Sequence, residues 1–313
     1  MRAAAIEEFG GPDKIKVMDL PKPVFGPDCV LIKVAAAGVN PIDWKTREGR
    51  QTSRYPHHFP LILGYDVAGV VEEVGKAVTA FRPGDRVCAN ARKSCVEWGT
   101  YAEWVAVAEE SVALAPTSVD LTHAAALPLA ALTAWQVIEA LQVNAGQRVL
   151  VHGGSGGVGT YVLQLLKELG VEVLATSGPA GQAYMRELGA APLDRHSDVA
   201  EQVRAVATEG VDAIADLAGP EAVKPTMPVL KNGGRIVSIL LPPPIGDEEK
   251  KRGVAGTYVF VRPYGHQLKE LVERVDSGIL TIHVDRTFPL EHAAKAHETL
   301  QGGGIRGKIA LIV

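Results

Sequence analysis

The stretch Gly153-Gly154-Ser155-Gly156-Gly157-Val158-Gly159 places five glycines in seven residues. Such a run makes a poor core and a poor helix, and it suits a place where backbone must come very close to something else. It follows the apolar run Val149 to His152. Beyond it, Val158, Val162, Leu165, Leu166 and Leu169 fall on one helical face. The pattern fits Gly154-x-Gly156-x-x-Gly159 and equally Gly153-x-x-Gly156-x-x-Gly159. Alone either match is weak; between a strand and a helix it becomes the dinucleotide-binding fingerprint. Glycines allow the tight turn and close approach, and the free N–H groups at the helix start face an anionic pyrophosphate. Gly154, Ser155, Gly156, Gly157, Val158 and Gly159 are therefore the expected cofactor contacts.

Which dinucleotide is bound depends on the end of the next strand, where NAD-binding folds carry an acid for the ribose 2′-OH. Here that end reads Leu174-Ala175-Thr176-Ser177-Gly178, and Glu172 sits at the wrong end of the strand. Neutral hydroxyls tolerate a 2′-phosphate, so NADPH is expected over NADH, with Thr176 and Ser177 beside it. Arg186 and Arg195 are the candidate cations.

The rest of the chain has the texture of two domains, as its 313 residues suggest. The first 120 residues hold short Val-rich runs punctuated by Gly and Pro turns, the spacing of a small all-β domain. From about Leu121, a long helix capped by Thr122 and running through Leu141 gives way to alternating strands and helices. That alternation argues for an α/β fold with a doubly wound parallel sheet. The boundaries expected are 1–120, 121–264 and 265–313.

Other functions are disfavoured by composition. The net charge of -4 and the absence of a basic stripe speak against a nucleic-acid partner. Cys29, Cys88 and Cys95 are too few and too scattered for a disulfide framework, which favours a reduced, cytoplasmic setting. The start MRAAAIEEFGG lacks a signal-peptide core, and the apolar stretch Ala124 to Leu141 is interrupted by polar residues, so no membrane association is expected.

Several further motifs, in order, carry a resemblance. Gly38-Val39-Asn40-Pro41-Ile42-Asp43, Leu63-Gly64-Tyr65-Asp66-Val67-Ala68-Gly69, Pro83-Gly84-Asp85-Arg86-Val87 and Leu127 through Trp135 accompany the glycine segment. Together they resemble the medium-chain dehydrogenase/reductase superfamily, in its zinc-independent quinone oxidoreductase (zeta-crystallin-like) branch. The resemblance covers essentially the whole chain, through Gly307-Lys308-Ile309. It implies a GroES-like β-barrel domain, an inserted Rossmann domain and a C-terminal return to the first. It also implies cofactor contacts from Asn40, Lys45, Thr133, Leu217, Leu240 and Lys308, and a homodimer. Relatives often carry a lysine soon after the second strand and a tyrosine after the third; this chain has Gly181-Gln182 and Arg195 there, a departure that weakens the NADPH reading, with Arg195 the candidate to replace the tyrosine as an adenine-side or 2′-phosphate contact. Relatives dimerise through edge strands of the Rossmann sheet. The apolar run Ile236 to Leu241 is compatible with such an edge and equally with a buried strand.

The departures from the wider superfamily are informative. Zinc alcohol dehydrogenases of similar sequence have a cysteine where this chain has Asn40, a His-Glu pair at Tyr65-Asp66 and a further cysteine near Leu129 to Ala131. None of these ligands is present, so no metal is expected. The pair His57-His58 is read as surface or packing residues. Without a Lewis acid, hydride transfer suits acceptors already polarised by conjugation, namely quinones and α,β-unsaturated carbonyls. Lys45, Asn40 and Tyr65 are the candidate catalytic residues, as a cation and hydrogen-bond donors for the developing oxyanion. Asp43 and Asp66 are read as structural. Two alternatives stay open: an enoyl-thioester reductase, and a non-catalytic, crystallin-like NADPH-binding protein.

Overall fold

The computed structural model describes all 313 residues. The valine-rich runs of the first part fold as strands because β-branched side chains fit a pleated, half-buried surface. They are β1 (Arg2–Ile6), β2 (Lys16–Asp19), β3 (Cys29–Val39), β4 (His57–Ile62), β5 (Asp66–Val74), β6 (Arg86–Asn90), β7 (Val96–Trp98), β8 (Trp104–Ala108) and β9 (Val112–Leu114). Two helices interrupt this part, α1 (Pro41–Arg47) and α2 (Leu121–Ala124).

A second set of elements alternates as expected. Helix α3 (Pro128–Leu141) leads to β10 (Arg148–His152), α4 (Gly157–Glu168), β11 (Glu172–Ser177), α5 (Pro179–Glu187), β12 (Ala191–Asp194), α6 (Val199–Val206) and β13 (Val211–Asp216). Then come α7 (Pro220–Val223), a 3-10 turn (Lys224–Val229), β14 (Leu230–Ser238), α8 (Asp247–Lys251) and β15 (Ala255–Tyr258). The chain closes with α9 (Gly265–Asp276), β16 (Val284–Pro289), α10 (Ala293–Gly302) and β17 (Lys308–Ile312).

Two units result, one formed by Met1–Leu132 with Pro263–Val313 and the other by Thr133–Arg262. In the first unit a sheet of order β16-β17-β3-β5-β6-β9, with β8 also on β3, accompanies a smaller sheet of order β2-β1-β4-β7. The C-terminal strand β17 runs antiparallel to β3, pairing Ile309 with Val39 and Ile312 with Ala36. That pairing explains why the tail belongs to the first unit. Its core is built from alanines and branched aliphatic residues such as Ala3, Ala4, Leu61, Ala293 and Ile309, all buried.

The second unit is a six-stranded parallel sheet of order β12-β11-β10-β13-β14-β15. The chain winds outward from β10 to β12, then returns to β13 beside β10 and winds outward the other way. This is the doubly wound order, and ligands of such sheets bind at the carboxyl ends of the strands where the winding reverses. The fold is therefore α/β, with a Rossmann-type sheet and a GroES-like barrel unit.

Several sequence expectations shift. The helix expected from Thr122 through Leu141 is two helices. Asp120, not Thr122, caps the first by accepting the His123 N–H, and Pro128 starts the second, since proline tolerates only the first turn of a helix. The unit boundaries accordingly move from 120/121 and 264/265 to 132/133 and 262/263. The run Ile236 to Leu241 does not form an edge, because β14 lies between β13 and β15; the edges are β12 and β15. No helix is long and apolar enough to cross a membrane.

Candidate active site

The glycine turn sits at the carboxyl end of β10, at the point of reversed winding, and each glycine there has a different reason. Gly153 has φ +82°, a left-handed conformation that disfavours other residues. At Gly159 a Cβ would lie 2.3 Å from the Gly153 carbonyl oxygen and 2.6 Å from that of Gly154, so only glycine lets α4 approach the turn. A Cβ on Gly154 would meet the side chains of Ala175 and Met185, both at 2.8 Å. Gly156 is different. Its backbone is ordinary (φ -80°, ψ 177°), and a Cβ would meet only the Gly153 oxygen, at 3.4 Å. Nothing inside the protein requires glycine at 156.

Gly156 is the N-cap of α4, and no side chain caps that helix start. The first N–H groups of a helix lack intrahelical partners and carry the positive end of its dipole. An uncapped helix start beside a glycine with free space is a cradle for a phosphate. The residues present therefore fit a dinucleotide.

Around this cradle the polar side chains hold the turn in shape. The Gly153 N–H donates to Thr176 Oγ1 at 3.2 Å, and the Gly154 N–H to the Thr176 carbonyl at 3.0 Å. Ser177 Oγ donates to the Gly178 carbonyl at 2.8 Å. Thr176 and Ser177, expected beside a 2′-phosphate, are buried and support the loop. Arg195 fits the expectation better. Its N–H donates to the Ser177 carbonyl, and its guanidinium atoms lie 3.7–3.8 Å from where a Cβ of Gly178 would stand. An exposed cation thus stands at the end of β11, whose own last residues carry no carboxylate, with Asp194 of β12 opposite Ser177; Arg186 lies on α5.

Gly181 packs on Ser155, whose Cβ and Oγ would lie 2.7 Å from an added Cβ. Leu217 lies against Gly153 and its N–H donates to the His152 carbonyl at 3.2 Å, while Leu240 packs over Gly219. Asp216, at the end of β13, fixes this side by accepting from the Ala218 and Gly219 N–H groups and from Ser238 Oγ. His152 is buried against Thr226 Oγ1 at 3.0 Å, and that burial pushes its pKa down to about 4. Thr133 is buried on α3.

In the first unit the candidate catalytic residues fall into two groups. Asn40 and Lys308 meet in a buried network. Asn40 Nδ2 donates to Asp66 Oδ2 at 2.8 Å and leans on the Gly38 carbonyl at 3.5 Å, and its Oδ1 accepts from the Lys308 ammonium. Lys308 also donates to the Val39 carbonyl at 3.0 Å and stands 3.7 Å from Asp66 Oδ2. The second Asp66 oxygen accepts from the Leu129 N–H at 2.7 Å. All three side chains are at most 4 % exposed.

Two expectations are thereby corrected. Lys308 directs its ammonium inward, donating to the Val39 carbonyl and Asn40 Oδ1 and facing the Asp66 carboxylate, and the Asn40 amide hydrogens are directed at Asp66 and the Gly38 carbonyl. Both are positioning residues. The reading of Asp43 and Asp66 as structural holds: Asp43 caps α1 by accepting the Asn40 N–H at 2.7 Å and also accepts from Tyr101 Oη at 2.9 Å. The chain continues from Tyr101 through His297 to Arg47, tying α10 to α1. Burial raises Asp43 to about 7 and Asp66 to about 6, with Lys308 opposing the rise at Asp66.

This network also decides whether zinc fits at the positions of the alcohol dehydrogenase ligands. The groups there are an amide, a phenol and a carboxylate already facing an ammonium. Zinc sites use thiolate, imidazole and carboxylate donors, and a buried ammonium at 3.7 Å repels a second cation. The donor set does not suit the metal.

Tyr65 and Lys45 form the second group. Tyr65 Oη is 3.2 Å from Thr46 Oγ1, and burial pushes the phenol up to about 12, so it stays a proton donor across the ordinary pH range. It lines a small, open pocket together with Thr46, Lys93, Cys95, Glu97 and Trp98. Lys45, on α1, is half-buried; burial and the neighbouring Arg50 lower its pKa. Sequence reasoning missed Lys93. Its Nζ donates to the Trp98 carbonyl at 2.9 Å, and burial brings it down to about 8. Arg-Lys-Ser at 92–94 carries no local signal for burial.

Comparison with known proteins agrees with this architecture. Residues 26–117 match the family model of the alcohol dehydrogenase GroES-like domain, and 188–311 match that of zinc-binding dehydrogenases. Human quinone oxidoreductase is 33% identical, over 100% of this chain and 98% of its own. The NADPH-dependent alkenal/one oxidoreductase of Arabidopsis thaliana chloroplasts is 34% identical over 99% of this chain and 79% of its own. A mycobacterial protein solved in complex with NADPH superposes with a TM-score of 0.87 at 31% identity, covering all of both chains. The chain belongs to the medium-chain dehydrogenase/reductase superfamily, among the quinone oxidoreductases of the zeta-crystallin type.

Proposed function

We infer that the protein is an NADPH-dependent reductase of quinones or α,β-unsaturated carbonyls that works without a catalytic zinc. The observation that carries the cofactor assignment is Gly156: a glycine the fold does not need, at an uncapped helix start. The names of the relatives support the acceptor class.

Bound NADPH supplies a hydride equivalent. With an enone as acceptor, negative charge would develop on the carbonyl oxygen and a proton would be needed to complete the saturated product. For a quinone, one hydride and one proton give the hydroquinone. The protein's work is to orient the acceptor and to stabilise that oxygen. We assign Tyr65 as hydrogen-bond and proton donor, since burial keeps its hydroxyl protonated. Lys45 is assigned as the cation near the developing charge or the cofactor ribose. Asn40 acts through the Asp66–Lys308 pair, holding the start of α1 on which Lys45 sits.

NADPH oxidation measured with a quinone, an enone and an enoyl-thioester tests the reading. Turnover of the first two, with a Tyr65→Phe loss of about 10²–10⁴-fold for the enone, is expected for a general acid. Tight NADPH binding without turnover of any acceptor would overturn it.

A further inference from the structure

A second cluster of chemically capable side chains lies apart from the Asn40–Asp66 network. His58, Cys95 and Glu97 bring three donor atoms of different kinds within 4.8 Å of one another. Cys95 Sγ is 3.4 Å from His58 Nδ1, and Glu97 Oε2 is 3.4 Å from the same nitrogen. Strand pairing produces this. β4 and β7 run parallel with His57 opposite Val96, which brings Glu97 on the edge strand and Cys95, in the bend just before it, next to His58. His57 points into the neighbouring aromatic group, 4.8 Å from Phe9 and 5.6 Å from Phe59 between ring centroids, and is packing. His58 is free of that group.

Two readings of a Cys–His–Glu cluster can be separated by geometry. A catalytic triad needs the thiol and the carboxylate on opposite nitrogens of the imidazole, so that one orients the ring while the other reacts. Here both approach Nδ1. A metal site needs all donors to converge on one point. With bond lengths of about 2.3 Å to sulfur and about 2.0–2.2 Å to nitrogen and oxygen, tetrahedral angles give donor–donor edges of roughly 3.3–3.6 Å. The two edges at the histidine, 3.4 Å each, fall inside that range; the third, between Cys95 Sγ and the carboxylate, is at most 4.8 Å and closes by rotation of the Glu97 side chain.

We propose that His58 Nδ1, Cys95 Sγ and a Glu97 carboxylate oxygen form a binding site for a divalent ion of the zinc class. The mixed thiolate, imidazole and carboxylate set suits zinc and cobalt and disfavours magnesium and calcium. Three protein ligands leave the fourth position to water. On binding, the Cys95 S–H bond breaks, its proton goes to buffer, and a sulfur–metal bond forms; His58 uses the Nδ1 lone pair with its proton on Nε2. Cys95 and Glu97 also line the pocket that holds Tyr65 and Lys93, so the ion fixes one wall of that pocket.

Calorimetric titration of the tag-free, metal-free full chain with Zn2+ tests the site, with Co2+ as the spectroscopic probe. One equivalent is expected to bind. The cobalt form should show a thiolate charge-transfer band and the intense visible bands of tetrahedral coordination. Cys95→Ser should abolish the charge-transfer band, and Cys95→Ser, His58→Ala and Glu97→Gln should each weaken binding at least tenfold at unchanged melting temperature. Cys29→Ser should change nothing. Absence of stoichiometric binding, binding indifferent to Cys95→Ser and His58→Ala, or an octahedral cobalt spectrum would overturn the proposal. None of these readouts depends on turnover, so the site stands or falls apart from the reductase assignment.

Discussion

Replacing Gly156 and Gly159 separately by alanine divides cofactor binding from folding. At 156 the backbone is one that alanine adopts freely, and its Cβ meets a single atom at 3.4 Å. Alanine lowers the entropy of the unfolded chain, which stabilises by about 0.4–1 kcal/mol, and is the poorer N-cap by a similar amount. The net change is within about 1 kcal/mol, a melting shift of about 4 °C at most. The same methyl group, however, fills the approach to the uncapped N–H groups of α4. Loss of one charge-assisted hydrogen bond to phosphate costs about 1.5–3 kcal/mol, or roughly 10- to 150-fold in NADPH affinity. At 159 the pattern changes, because the Cβ would overlap two backbone carbonyl oxygens that no side-chain rotation relieves. Overpacking of that kind costs about 1–3 kcal/mol. Thermal denaturation of the cofactor-free variants and fluorescence titration with NADPH measure both quantities. If Gly156→Ala binds NADPH within twofold of the parent, the turn is not the phosphate cradle. If Gly159→Ala is as stable as the parent, the account of the turn's packing fails.

Arg195→Ala should lower the preference for NADPH over NADH by about tenfold, the worth of one charged hydrogen bond; an unchanged ratio of kcat/KM for the two cofactors removes Arg195 from the site. Lys308→Met leaves Asp66 buried without its partner and should cost about 3–5 kcal/mol, with much of the loss restored in the double variant with Asp66→Asn; a stable Lys308→Met chain with weakened NADPH binding would return Lys308 to the cofactor site. His152, held at about 4 against an ordinary 6.5, sets a pH dependence. Above pH 6.5 the imidazole is neutral in the folded and unfolded chains alike. Below it the unfolded chain takes up a proton that the folded chain refuses, so stability falls by about 1.4 kcal/mol per pH unit down to about pH 4. Denaturant unfolding of His152→Asn at pH 6.5 and 4.5 should therefore show a shallower loss than the parent, and equal slopes would contradict the assignment.

Local pattern carried most of the second unit. The apolar β10, the glycines and the helical stripe after them are contiguous, and each has one physical solution. The stripe is wider than expected, since α4 is buried from Gly159 through Leu166. Strands β12 and β15 escaped notice because they are four-residue edge strands, one containing Pro192, which sheets tolerate only at an edge. The first unit was harder to read. Asn40 reads as a free donor because the carboxylate that accepts from it, Asp66, lies 26 residues away and the ammonium that donates to its oxygen, Lys308, lies 268 away, and nothing near any of the three announces the others. The same holds for His58 and Cys95, 37 residues apart and joined only by the pairing of β4 with β7. Residues whose role is set by neighbours in sequence were visible; those whose role is set by strand pairing were not.

The central assignment is tested most directly by following deuterium from C4 of labelled NADPH during reduction of an α,β-unsaturated ketone. Deuterium on the β-carbon of the saturated ketone, one per NADPH consumed, is the expected result. Unlabelled product would contradict hydride transfer from NADPH.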